Sequence, residues 1–394
     1  MIWMSEWQHI GNRGFDSLPP VQAFLVTAWQ AIGQRCRRLT VSRSNRHSLW
    51  GFAFLFALGL SLSVALTSCG SNSNSAPKPD VTLSLVSYSV TQAAYEQIIP
   101  KFVQKWQQEH SQNVTFKQSY GASASQACSV IDGSQPADVV HLSLALDTAK
   151  IVGAGLIKPG WEKKYPRGGI VTRSTVALVT RADNPKGIST WEDLARDDVR
   201  VITPDPKTSG GARWNFLALW GYVTQTGGDE ARALEFVTRV YKNAPVLPAS
   251  AREASDLFFK QNQGDVLLNY EDEVILAISK GEKLSYFIPQ VNLSIDNPIA
   301  VVDKNADQRG TREVAEAFVD FLYTPEAQRE FGKLGYRPVN PNVVAEVSDS
   351  YPPIQTLFTV QDLGGWDTIQ DKFFKEGAIF DQIQRANKSQ ADSA

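Results

Sequence analysis

From residue 81 onward the sequence predicts an α/β protein of two lobes, each a sheet flanked by helices. Three observations predict it. Short apolar strands alternate with segments of helical spacing, the pattern that places helices on both faces of a sheet. Two stretches, T-V-A-L-V at 175–179 and P-I-A-V-V at 298–302, are apolar throughout and read as the strands on which the chain crosses between lobes. A chain of 394 residues with 43% hydrophobic content is also long enough to bury more than one core.

Taken in order, residues 81–86 (V-T-L-S-L-V) alternate as a strand, and 91–108 carry Ala94, Ile98, Phe102 and Trp106 at helical spacing. Strand 114–116 is followed by a helix over 123–131, and strand 138–140 by a helix over 144–152. Val201 and Ile202 form a strand that runs through a Pro/Asp-rich turn into Ser209-Gly210-Gly211. There a helix opens with Trp214, Leu217, Ala218, Trp220 and Tyr222 on its apolar positions. Ser250-Ala251 opens another helix over 252–259, and helices over 311–323 and 325–334 close the pattern. The expected organisation is a first lobe from 81–176 and 300–390, with 177–299 inserted as the second.

The first eighty residues read as targeting and tether. Arg35, Arg37, Arg38, Arg43 and Arg46 form a positive region, 49–66 is almost wholly apolar, and L-T-S-C follows, ending at Cys69. This is the order of a secretory signal. The ending resembles a bacterial lipobox, whose cysteine is acylated and becomes the new N-terminus, so 1–69 is the signal region and Cys69 the lipidation site. An uncleaved span is the competing reading. Cys69 at a small-residue boundary, with the flexible stretch S-N-S-N-S-A-P-K-P behind it, favours the lipobox. Residues 70–80 are then a tether, and 1–34 either a true extension or a misassigned start. Cys128, the cysteine of the folded part, is expected as a buried small hydrophobe rather than half of a disulfide.

Composition excludes several classes. A net charge of −2 leaves no basic footprint for nucleic acid. The glycine-rich turn lacks the G-x-x-x-x-G-K-S/T of a nucleotide loop, and G-A-S-A-S at 121–125 lacks the closing glycine of a nucleophile elbow. His110 and His141 are the only histidines beyond residue 80, so no metal cluster or cofactor is expected. Glu271, Asp272 and Glu273 are expected as a solvated helix start. Both methionines, Met1 and Met4, lie in the first four residues, a composition suited to a protein made when sulfur is short.

What the chain offers is helix starts. The first turn of a helix has unpaired N–H groups and a partial positive charge, and glycines there let backbone approach an anion. Starts at Ser123, at Ser209-Gly210-Gly211 and at Ala251, read as lying on loops after strands, suit a donor-rich crevice for a fully deprotonated oxyanion.

Tyr88, Gln118-Ser119, Gly121-x-Ser123, A-D-V-V at 137–140, 201–222 with its S-G-G-A-R-W-N block, G-D-V-L at 264–267, V-V-D-K at 301–304, Y-R-P at 336–338 and G-G-W at 364–366 resemble the periplasmic sulfate-binding proteins of ABC transporters. The resemblance spans about 81–384. It implies a type II periplasmic-binding-protein fold closing on sulfate without a cationic side chain in contact. It further implies a monomeric receptor that serves membrane permease subunits; with the lipobox, the expected location is the periplasm, anchored by lipid to a membrane, or the outer face of the cytoplasmic membrane. Carried over by position, the ligand donors are Ser123, Ser209, Gly210, Gly211 and Ala251. Two positions depart from the pattern: Ser89 stands for the family's aspartate, where its backbone N–H can serve, and Tyr270 stands for an indole donor. A phenol can also accept a hydrogen bond, which leaves room for thiosulfate. Arg213 and Arg252 are expected to clamp backbone or carboxylate partners. The competing readings are the same fold holding thiosulfate, molybdate or phosphate, an exported serine hydrolase using Ser123 or Ser209, and a surface lipoprotein without ligand.

Overall fold

The computed structural model describes residues 78–391; the signal region, Cys69 and nearly all of the tether lie outside them. Five strands form the first sheet: β1 (Val81–Tyr88), β2 (Val114–Gly121), β3 (Val139–His141), β4 (Ile170–Ser174) and β10 (Ile295–Val301), in the order β2-β1-β3-β10-β4. β1 runs parallel to β2 and β3, whereas β10 is antiparallel to β3 and β4. The second sheet has the order β6-β7-β5-β8, built from β5 (Val176–Arg181), β6 (Val201–Ile202), β7 (Val266–Tyr270) and β8 (Leu284–Phe287). A small parallel pair joins β9 (Val291–Leu293) to β11 (Thr356–Phe358).

Both sheets are covered on both faces, which is why β5 and β7 read as continuous apolar runs rather than alternations. Helix α1 (Gln92–His110) lays Ala94, Ile98, Phe102 and Trp106 on one face of the first sheet, against Leu83, Leu85 and Phe318. It stops at Ser111, a left-handed residue with φ 50°. Helices α2 (Ser123–Ile131) and α3 (Ala145–Gly153) cover the other face through Ala127, Val130 and Ile151. On the second sheet, α4 (Gly210–Gln225) and α5 (Glu230–Lys242) pack on Val176, Leu178 and Leu268, while α6 (Ala251–Phe259) packs on Val179 and Leu267 from the other side. Helix α7 (Glu271–Ser279) follows β7; α8 (Arg312–Leu322) and α9 (Pro325–Lys333) return to the first sheet's core.

Several expectations need correction. The chain leaves the first sheet between β4 and β5, at Thr175, and re-enters it at β10, which begins at Ile295 and belongs wholly to the first sheet. Residues 356–391, expected with the first lobe, pack on the second. Phe358, Phe373, Phe374 and Phe380, the last in α10 (Ile379–Ala391), join the cluster around Phe216 and Tyr241. The reason is volume: the aromatic faces of α4 and α5 would otherwise face water, and a third crossing of the chain covers them. Cys128 is half-buried and disulfide-bonded, so the expected lone thiol is corrected.

Candidate functional site

Strands β1, β2, β6 and β7 end facing one another across the cleft, and each end leads directly or through a short loop into a helix or turn. Ser89 opens a single 3-10 turn, Ser89–Thr91, after β1. Ser123 is the first residue of α2 after β2. Ser209 caps α4, its Oγ accepting from the Ala212 N–H (3.3 Å), so Gly210 and Gly211 hold the first two helical positions. Ser250 caps α6 in the same way, accepting from the Glu253 N–H (3.2 Å), and Ala251 is its first residue; this start follows α5 through a loop rather than a strand, against expectation. Tyr270 ends β7. First-turn N–H groups have no partner within their own helix.

The structure brings these starts together. The Ala124 N–H donates to the Thr208 carbonyl (3.1 Å), joining the start of α2 to that of α4. A Cβ added at Gly211 would lie 2.8 Å from Tyr270 Cε2 and 3.3 Å from Ala251 Cβ. A Cβ at Gly210 would collide with Ser143. Arg252 Nη2 donates to the Val90 carbonyl (3.4 Å), which draws the α6 start to the turn bearing Ser89. Ser123, Ser209, Ala251 and Tyr270 are each 4% exposed or less, while Ser89 is half-buried.

Hydroxyl protons decide what such a site accepts. Ser123 Oγ donates to Asp147 Oδ2 (2.7 Å) and accepts from the Ser143 N–H (3.1 Å), so only its backbone N–H is left for a ligand. The Ser209 N–H is taken by the Asp205 carbonyl (2.8 Å), which leaves its hydroxyl proton. Ser143, missed in the sequence, shares a 2.7 Å hydrogen bond with the Tyr270 hydroxyl, and Trp214 Nε1 donates to Ser143 Oγ (3.1 Å). Whichever of the two hydroxyls donates to the other, one proton of the pair remains for an outside acceptor. Burial raises the Tyr270 phenol well above its ordinary value, so that proton stays on. The one sequence hint of Ser143 was its place two residues past strand β3.

The charges nearby are paired. Arg213 Nε donates to the Pro206 carbonyl (2.8 Å), and its guanidinium lies 3.7 Å from Asp147 across the cleft. Burial pushes the Asp147 carboxyl up, but Lys150, Arg213 and the Ser123 hydroxyl outweigh it and hold it below the usual range. Arg252 binds Glu273 (2.7 Å), which also takes the Ser255 hydroxyl (3.1 Å). Glu271, Asp272 and Glu273 are 1%, 2% and 5% exposed, against the expectation of a solvated helix start. Glu271 is buried because Arg337 grips it with two bonds (2.6 and 3.0 Å). Burial pushes Asp272 up to about 8. His141 is fully buried, its Nδ1 sharing a 2.7 Å hydrogen bond with the Tyr95 hydroxyl, and burial lowers it to about 3. Among the described residues no group of acidic, histidine or cysteine side chains could hold a metal, and no helix is long and apolar enough to cross a membrane.

The arrangement gathers backbone N–H groups and hydroxyls, with paired arginines behind them. The family of bacterial extracellular solute-binding proteins matches residues 83–337. A sulfate-binding protein of Synechococcus elongatus is 57% identical over 78% of this chain and 87% of its own. A thiosulfate-binding protein of Pseudomonas aeruginosa is 35% identical over 77% of this chain and 92% of its own. The solved sulfate-binding protein SubI of Mycobacterium tuberculosis superposes with a TM-score of 0.70 at 37% identity, covering 75% of this chain and all of that one. With its two sheets, the closed cleft between them and these relatives, the chain belongs to the bacterial extracellular solute-binding proteins.

Proposed function

We propose that this protein is an extracytoplasmic receptor that binds sulfate and delivers it to an ABC-type membrane permease, with thiosulfate as the second candidate. One observation carries the reading. Helix and turn starts from both lobes converge with spare hydroxyl protons, while the carboxylates attached to them are occupied, Asp147 by Ser123 and Arg213, Glu273 by Ser255 and Arg252. Such a site offers donors to a ligand with nothing to donate. Hydrogen phosphate would bring a proton without an acceptor to meet it, a mismatch that costs about 1–3 kcal/mol or more. The 57%-identical sulfate-binding relative supports the choice of anion. The 35%-identical thiosulfate-binding relative is what favours thiosulfate as the runner-up.

The ligand set proposed is the N–H groups of Ser89, Ser123, Gly210, Gly211 and Ala251 with the hydroxyls of Ser209 and of the Ser143–Tyr270 pair. The protein acts as a binder rather than a hydrolase: Ser123 Oγ is committed to Asp147, and His141 is committed to Tyr95. A monomer anchored in the periplasm by a lipid on Cys69 completes the proposal. Calorimetric titration with sulfate, thiosulfate, phosphate and molybdate tests it. Sulfate should bind tightest, thiosulfate next, and phosphate weaker by at least tenfold; phosphate binding as tightly as sulfate overturns the assignment.

A further inference from the structure

Behind the cleft, where the chain passes between lobes, lies a separate cavity of about 630 Å³. Residues at all three crossings line it: Arg173 and Ser174 at the end of β4, Ser294 just before β10, and Leu357 in β11. Arg337 also reaches it, but that guanidinium is committed to Glu271 and stacks over the Tyr351 ring at 5.0 Å. Arg173 is not committed. Its backbone pairs with Arg337 (3.1 and 2.7 Å), yet Nε is buried without a hydrogen-bond partner, and the guanidinium forms no ion pair among the described residues. Asp296 is the carboxylate that faces it, and that group accepts from the Ser294 hydroxyl (3.1 Å). Arg167 and Arg337 add positive charge nearby, and Asp349 stands exposed at the rim, where solvent screens it. Ser174 is 2% exposed; its Oγ forms no well-aligned hydrogen bond and faces the buried Asp272 carboxyl. The remaining wall is apolar, from Val347, Pro352, Pro353 and Ile354.

A half-buried guanidinium whose Nε has no hydrogen-bond partner is costly, and its planar fork matches a carboxylate. An apolar pocket with one or two convergent polar groups at a lobe interface is also the usual build of a small-molecule site. We propose that this hinge cavity binds a small organic carboxylate, its head group on Arg173 and Ser174 and its hydrocarbon body against Val347, Pro352 and Ile354. The site is distinct from the anion cleft and stands whether or not sulfate is the cleft's ligand.

Calorimetric titration of the mature protein with hexanoate, with and without saturating sulfate, tests the proposal. One hexanoate should bind at millimolar concentration or below, undisturbed by sulfate, and hexan-1-ol should bind at least tenfold more weakly. Arg173→Ala should weaken hexanoate by about tenfold or more, the worth of a hydrogen bond to a charged group, and leave sulfate affinity within about twofold, since sulfate does not touch it. In isotope-labelled wild-type protein, which needs no variant to fold, the Nε–Hε resonance of Arg173 should shift on adding hexanoate. Absence of hexanoate binding, competition by sulfate, equal binding of hexanol, an unmoved Arg173 resonance, or retained affinity in Arg173→Ala would each overturn it.

Discussion

Ser209 shows how one residue serves both fold and site. Its N–H is spent on Asp205 and its Oγ accepts the Ala212 N–H to cap α4, so the hydroxyl proton is what it has left to give a ligand. Ser209→Ala should lower sulfate affinity by about ten- to a hundredfold and cost about 1 kcal/mol of stability through the lost cap. Paired titration and denaturant melts read the two effects separately; a stability loss alone would remove Ser209 from the ligand set. Gly211 is more constrained. A side chain there meets the Tyr270 ring at 2.8 Å, and Gly211→Asp adds a negative charge beside the anion, so binding should vanish in calorimetry. The helix start at this step was legible in the Ser-Gly-Gly sequence. That Ser143 meets the Tyr270 hydroxyl was not, since the two lie far apart in sequence.

At the scale of an element, α7 concentrates an unusual burden. Three consecutive buried carboxylates open it, two paired with arginines, while Asp272 Oδ1 has no hydrogen-bond partner. Burial raises the Asp272 carboxyl from 3.8 to about 8, with the charge of Glu273 adding to it. Between those values the folded protein keeps a proton that the unfolded chain has released. Stability contributed by this group therefore falls as pH rises from 3.8 to about 8 and is flat above. Asp272→Asn should remove that slope and raise the melting temperature above pH 8, where the wild type must hold a buried charge. Sulfate affinity should be level near neutrality and drop in alkaline solution as Asp272 ionises, and the Asn variant should stay level; a drop of the same size in both would exonerate Asp272. The sequence showed an acidic helix start, which is ordinarily solvated. Only the approach of Arg337 and Arg252 from other segments buries it.

In the whole molecule, the cleft is closed by contacts that cross it. Arg337 from the first lobe holds Glu271 of the second, Arg252 reaches back to the Val90 carbonyl, and Arg213 faces Asp147. Arg337→Ala would leave Glu271, 1% exposed, charged and unpaired, which costs about 3–5 kcal/mol. Its melting temperature should drop, and sulfate should restore part of the loss by mass action, in proportion to the logarithm of its concentration over Kd. A melting temperature insensitive to sulfate in both proteins would argue against an anion in the cleft. The anchor is tested at the same scale. The intact mass of the membrane-extracted protein reads it directly. Lipidation predicts a mature chain beginning at Cys69 with acyl mass, lost in Cys69→Ser.

The sequence by itself determined the strand–helix alternation, the two apolar stretches near the crossings, and the helix starts at Ser123, Ser209 and Ala251. All of these depend on local periodicity and on residues within one turn of one another. Only the tertiary structure decided which protons remain for a ligand, that the aromatic tail after residue 356 belongs to the second lobe, and that Arg173 stands unpartnered at the hinge. Those outcomes depend on segments brought together from distant parts of the chain. Nothing in a residue's own neighbourhood records whether a remote hydroxyl, arginine or ring will arrive to meet it.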